Sequence, residues 1–138
     1  MKKILMAHDG SKASDRAFKK ALQIAEAFQA KVTVISVIPE LYLTELMEMD
    51  RRRILDSLAA EAKKMMEAIK KKTKDTVSVK TILDQGDPAE KVLELAEKMK
   101  VDLIVTGSHG RHGAQRFLLG SVSSKIVDHA DCDVLVVK

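Results

Sequence analysis

The residues best suited to chemistry lie between Gly107 and Ser123. The stretch reads Gly-Ser-His-Gly-Arg-His-Gly-Ala-Gln-Arg-Phe-Leu-Leu-Gly-Ser-Val-Ser and holds four of the chain's six glycines within fourteen positions. Glycines after a parallel strand let main-chain amides approach an anion closely, and the start of a following helix adds unpaired N–H donors and a partial positive charge. A phosphate group suits that combination. The spacing is neither the dinucleotide fingerprint G-x-G-x-x-G nor the P-loop G-x-x-x-x-G-K-[ST], because no lysine follows Gly120, which disfavours an ordinary Rossmann enzyme or a P-loop ATPase. The second candidate is Asp9, just beyond the first apolar run. Its carboxylate could cap the following helix or accept a hydrogen bond from the exocyclic amine of a bound base.

Alternating periods along the chain must position these groups. Ile4 to Ala7 reads as a short buried strand, followed by the breaker Gly10 and by Ser11 and Ser14 as candidate N-caps. Ala17, Ala21, Ala25 and Phe28 then recur on one helical face, with Leu22 beside them. Lys31 to Ile38 is rich in β-branched residues and stops at Pro39, which has no amide proton for a ladder. From about Leu43 to Lys72 the period is helical again, with a stripe of Ile54, Leu58, Ala62, Met65 and Ile69. Val77 to Leu83 makes a third strand. After Gly86, Asp87 is a cap, Pro88 fits the first helical position and Glu90 completes a capping box for the helix carrying Val92, Leu93, Ala96 and Met99. Val101 to Thr106 is a fourth strand, Val122 to Ala130 a fourth helix and Val134 to Val137 a fifth strand. Five strands alternating with four helices argue for a single α/β domain spanning 1–138, an open parallel sheet with helices on both faces.

Gly107, two residues, Gly110, nine residues, Gly120 and Ser121 form the pattern G-x2-G-x9-G-[ST], and the opening Ile4-Leu5-Met6-Ala7-His8-Asp9-Gly10-Ser11 precedes a first helix. In both features, and in the closing Val134-Leu135-Val136-Val137, the chain resembles the nucleotide-binding universal stress proteins over essentially its whole length. The resemblance implies a five-stranded parallel sheet in the order 3-2-1-4-5, Rossmann-like and similar to the adenine nucleotide alpha hydrolases. It also implies a homodimer and a cytoplasmic, stress-associated role. By the same resemblance Ala7, Asp9 and Val37 face the adenine and nucleoside, Thr106 and Gly107 flank the nucleoside, and Gly110, Gly120, Ser121, Val122 and Ser123 surround the phosphates. His109 and Arg111 lie in the same loop and could approach the phosphate chain. The sheet order has independent support: if Asp9 and Gly107 serve one ligand, strands one and four are neighbours at the point where the connections reverse direction. The implied ligand is ATP, with AMP or ADP as alternatives, carrying Mg²⁺ on its phosphates.

Composition narrows the field further. The 138 residues carry a net charge of +4 and are 46% hydrophobic but only 3% aromatic, without tryptophan, so there is no stacking platform for single-stranded nucleic acid. Basic residues alternate with acids as on a solvated surface, which disfavours nucleic acid as a partner despite a pI of about 9.2. The lone Cys132 excludes an internal disulfide and multi-cysteine metal sites, and fits a reducing cytosol. The apolar run after Lys2 and Lys3 ends at His8, too soon for a signal peptide, and no stretch is long enough to span a membrane. No resident metal site is expected, since only His8 and His129 could join His109 and His112.

Three functions compete on these residues. The first is an ATP-binding regulatory module whose nucleotide state alters its association with a protein partner. The second is a slow ATPase or nucleotide-transfer enzyme, for which only Asp9 and His109 offer a candidate base and no catalytic residue is assigned. The third is a dimeric interaction protein without nucleotide, against which the intact glycine pattern argues. The apolar strand at 134–137, if it forms an edge, invites pairing with a second copy.

Overall fold

The computed structural model describes residues 1–40, 48–73, 75–109 and 119–138. Gly110 and Arg111, two of the expected phosphate contacts, lie outside the described residues, as does His112. The elements alternate as the sequence pattern requires: β1 (Lys3–Ala7), α1 (Lys12–Phe28), β2 (Lys31–Ile38), α2 (Glu48–Thr73), β3 (Val79–Gln85), α3 (Pro88–Met99), β4 (Leu103–Gly107), α4 (Ser121–His129) and β5 (Asp133–Val137). The strands form one sheet in the order β3-β2-β1-β4-β5, every pair parallel.

Successive side chains of a strand point to opposite faces, and the core follows that rule. Ile4 and Met6 of β1, Val32 and Val34 of β2, and Leu103 and Val105 of β4 pack with Ala17, Phe18, Ala21 and Ala25 of α1 and Ile69 of α2. Leu5, Ile35 and Ile104 face the other way, against Ala89, Val92 and Ala96 of α3 and Ile126 of α4. Helices therefore cover both faces, α1 and α2 on one and α3 and α4 on the other. The connections run outward from β1 in one direction through β2 and β3, then cross over to β4 and β5. A crevice consequently opens at the strand C-termini between β1 and β4, where ligands of open α/β sheets bind.

Three local readings need correction. Phe28 does not join the α1 core stripe and is 57% exposed. It is the last helical residue, Gln29 turns the chain through a left-handed conformation at φ 54°, and the buried Ala30 enters the core instead. Phe18 supplies the aromatic ring on that face. The fourth strand begins at Leu103, two residues later than the period suggested, because Lys100 adopts φ 54° and the Val101 amide bonds back to the Ala96 carbonyl at 3.1 Å, a helix-ending arrangement. The third strand is displaced to Val79–Gln85, since β2 pairs with it from Val32, opposite Val79, through Ile38, opposite Gln85.

Asp102 fastens the start of the chain to this frame. Its Oδ2 accepts the main-chain N–H groups of Lys2 and Lys3 at 2.8 and 2.9 Å, and these two bonds hold its carboxyl below the usual carboxylate range. On the other side of the sheet, Lys125 of α4 reaches Asp87 and Glu90 at the start of α3, at 3.4 and 3.5 Å. All three side chains are well exposed, so this link contributes little to stability.

Candidate functional site

The turn after β1 is built by short polar side chains bonding to their own backbone. Gly10 sits at φ 85°, a left-handed conformation that favours glycine. The Ser11 amide donates to Asp9 Oδ1 at 2.9 Å, the Ser14 hydroxyl donates to the same oxygen at 2.6 Å, and the Asp9 amide donates to Ser14 Oγ at 3.1 Å. Ser11 is the N-cap of α1, its hydroxyl accepting the Ser14 amide at 3.1 Å. Of the two serines read as candidate caps, Ser11 caps and Ser14 braces Asp9. Partial burial pushes the Asp9 carboxyl up, but the hydrogen bonds from Ser11 and Ser14 outweigh it and hold the group below its ordinary value. Asp9 is thus a carboxylate at neutral pH. Among the described residues both bonds it accepts fall on Oδ1, which leaves Oδ2 as an acceptor for a ligand.

The opposite wall is the junction of β4 and α4. Gly107 ends β4 under α1, where an added Cβ would stand 3.0 Å from the Ala13 main-chain carbon and 3.2 Å from its carbonyl oxygen. Only glycine lets α1 lie that close. The Gly107 carbonyl accepts the Ser123 hydroxyl at 2.5 Å, the Gly120 amide donates to the Ser108 carbonyl at 2.8 Å, and the Ser108 amide donates to Val137 of β5 at 2.8 Å. These bonds hold the start of α4 against the end of β4. Gly120 is the N-cap residue and carries no capping side chain; the first amide to bond back within the helix is that of Ser124, to the Gly120 carbonyl at 2.9 Å. The Ser121, Val122 and Ser123 amides have no acceptor among the described residues, and they carry the positive end of the helix dipole. Ser121 and Ser123 do not cap the helix, as they could have done; Ser123 binds the strand instead.

Between these walls lies a cleft of about 960 Å³. Ala7, Asp9, Val37, Thr106, Gly107, His109, Gly120, Ser121, Val122 and Ser123 all line it, so every expected site residue that is described comes to one place. His109 is half-buried there, its Nδ1 2.9 Å from Ser108 Oγ. Sequence reasoning did not find the far wall, where Leu58, Ala62 and Met65 of α2 and Ile38 and Pro39 after β2 add apolar surface. The α2 stripe was legible as an amphipathic pattern, but nothing in it distinguishes residues that face a cleft from residues that face a core. Also unforeseen was His8, which is 4% exposed at the base of the Asp9 turn.

The volume is of the size that takes a nucleotide-sized molecule, and its lining combines the apolar residues of α2 with the carboxylates of Asp9, Asp15 and Glu61 and with the start of α4. Fold and site together define an α/β domain with an open crevice at its topological switch point, the place where such sheets bind ligands. The sequence profile of the Universal stress protein family matches residues 1–138, and the chain belongs to that family. A universal stress protein from Methanocaldococcus jannaschii is 39% identical over 99% of this chain and 82% of the relative. Among solved structures, the universal stress protein UspA from Lactobacillus plantarum superposes with a TM-score of 0.92 at 33% identity, covering 99% of this chain and 97% of that one. A universal stress protein in complex with cAMP superposes at 0.68 with 25% identity, covering 99% and 97% of the two chains.

Proposed function

We propose that this chain binds an adenine nucleotide in the cleft between β1 and β4 and works as a nucleotide-dependent regulatory module in the cytoplasm. The observation that carries the reading is the start of α4, where Gly120 gives no side-chain cap and where Ser121, Val122 and Ser123 line the same cleft as Asp9. Asp9 Oδ2 accepts the exocyclic amine of adenine, Ala7 and Val37 bound the base, and Thr106 and Gly107 flank the nucleoside. Gly120, Ser121, Val122 and Ser123 hold the phosphates, joined by His109 and, in the glycine-rich stretch, Gly110 and Arg111. The cAMP complex of a relative supports the ligand class.

Magnitudes require more than the helix start. A helix N-terminus contributes about 0.3 to 1 kcal/mol to an anion, whereas micromolar affinity needs about 8 kcal/mol. A buried base and several charge-assisted hydrogen bonds must supply the difference. ATP fits with Mg²⁺ carried on its phosphates: no group of three or more His, Cys, Asp or Glu among the described residues could hold a metal, so oxygens of the triphosphate and water would be its ligands. When bound, the ion neutralises phosphate charge. A homodimer through β5 completes the proposal. β5 ends the sheet, and Val134, Leu135, Val136 and Val137 are all half-buried rather than covered.

Thermal unfolding with and without ligand tests the reading. AMP, or ATP with Mg²⁺, at a hundredfold excess over its dissociation constant stabilises the fold by about 2.7 kcal/mol. An unchanged midpoint with every adenine nucleotide removes the proposal.

A further inference from the structure

The following inference rests on the reading of the cleft just given. His8 joins β1 to the Asp9 turn, and its main-chain amide continues the sheet by donating to the Ile35 carbonyl at 2.9 Å. The imidazole is turned under the turn itself. Its Nδ1 accepts the Gly10 amide at 3.0 Å, which places the ring proton on Nε2, 3.1 Å from Asp15 Oδ1. The ring of Phe18 closes the site edge-on, its centroid 6.4 Å away at 70°. A neutral imidazole in this one tautomer therefore ties Gly10, the residue after Asp9, to the first turn of α1.

We infer that His8 is a positioning residue for the nucleotide: its neutral ring holds the Gly10 amide, and through it the Asp9 carboxylate, in the geometry that meets the base, so that protonation of the ring weakens adenine-nucleotide binding. A protonated ring carries N–H on both nitrogens and sets two donors against each other across the 3.0 Å contact between Nδ1 and Gly10. The turn must then shift, and with it the bonds from Ser11 and Ser14 that fix Asp9 Oδ1. Asp15 of α1 and Asp9 of the turn are the charged groups that face the ring among the described residues; β2 offers it only the Ile35 main chain, and Phe18 only a ring.

Burial pushes His8 below its ordinary value of 6.5, against the opposing pull of Asp15 and then Asp9. The sign follows. The unfolded chain takes up the proton first as pH falls, so the contribution of neutral His8 is complete above 6.5 and is lost as pH drops from there through the lowered folded value.

The test measures cAMP binding by calorimetry at about pH 7.5 and about pH 5.5. A phosphodiester is chosen because the second ionisation of a phosphate monoester, at about pH 6, would confuse the profile. The unsubstituted protein loses affinity towards acid pH, the loss setting in below 6.5 and continuing as pH falls through the lowered folded value. In His8→Asn the amide oxygen stands where Nδ1 stood and cannot protonate, so binding is rescued to within about threefold and its pH profile is flat. In His8→Gln the amide sits one bond farther out and cannot accept from Gly10, so affinity is reduced at both pH values. Parallel pH profiles for the unsubstituted protein and His8→Asn overturn the inference, as does equal affinity of the two variants. Independently of ligand, the Gly10 amide resonance of the free protein follows the titration of His8, and a Gly10 amide that ignores it overturns the inference alone. Absence of cAMP binding at every pH overturns the affinity claim, whereas the reading of the cleft falls only if AMP and ATP with Mg²⁺ also leave the unfolding midpoint unchanged.

Discussion

Two strand-to-helix junctions flank the cleft, and they treat the same backbone groups in opposite ways. At the β1–α1 junction Ser11 caps the helix through its side chain and Ser14 locks Asp9, so the Ser11 and Ser14 amides are engaged within the protein. At the β4–α4 junction Gly120 offers no capping atom. The start of α3 resembles the first case, with Asp87 accepting the Glu90 amide at 2.9 Å. A helix start with glycine at the N-cap forgoes a few tenths of a kcal/mol relative to one capped by Asp or Ser. On the proposed reading, its occurrence on the wall of a cleft, while α1 and α3 are capped, divides the labour: the first junction supplies an acceptor held rigidly, the second supplies amides that have no acceptor among the described residues.

The sharpest way to break that contrast is to cap α4. Gly120 has φ −58° and ψ 156°, which any residue can adopt. Gly120→Asp is expected to stabilise the fold by a few tenths of a kcal/mol. The same carboxylate would reduce AMP affinity more than tenfold, by about 1.4 kcal/mol or more, and leave adenosine binding much less affected. Calorimetry with the two ligands separates these effects, and equal losses for both would remove the phosphate assignment. Enlarging Gly107 attacks the frame that the junctions share. Gly107→Val drives a side chain into the Ala13 backbone and should cost about 2 to 4 kcal/mol in urea unfolding.

Smaller effects sharpen the comparison from the acceptor side. Asp9→Ala removes the proposed base contact, and its expected cost to nucleotide affinity is about 1.5 to 3 kcal/mol, the value of a hydrogen bond to a charged group. Ser123→Ala loses the bond to the Gly107 carbonyl and should lower stability by about 1 kcal/mol in thermal unfolding. Asp87→Ala removes a conventional cap and should cost about 1 kcal/mol near neutral pH without touching AMP affinity. The Glu90 amide holds the Asp87 carboxyl below its usual value. The contribution of Asp87 is therefore present above its unfolded value and is lost as pH falls through the lowered folded one, so the variant should show a flatter stability curve at acid pH than the unsubstituted protein.

The sheet was legible because its signals are local and repeated. Lys31 to Ile38 is a run of β-branched residues closed by Pro39, and the strand has those bounds. Asp87, Pro88 and Glu90 announced α3, and the helix begins at Pro88 with Asp87 as its cap. Two of the three errors arose where a single backbone dihedral decided the outcome, and the third where pairing with β2 set the bounds of β3. Gln29 and Lys100 adopt left-handed conformations that hydrophobic spacing does not encode, and each shifted an element end or exposed a residue such as Phe28. In the site, Asp9 and the glycines after β4 could be recognised because their residue types are suited to ligand chemistry. His8 could not, since its role depends on which nitrogen faces Gly10, a property of the folded turn.

The placing of β1 between β2 and β4 also governs how the molecule comes to be assembled. Ile4 pairs with Leu103, and Asp102 closes on Lys3 across a separation of 99 residues. At a synthesis rate of about 5 to 20 residues per second, that separation corresponds to roughly 5 to 20 s. Throughout that interval the strand destined for the centre has one ladder edge bare, and the early half of the chain must avoid pairing with a stranger. The long-range pairing beside Asp102 is thus the step that covers the second edge of β1 and leaves only β3 and β5 at the ends of the sheet.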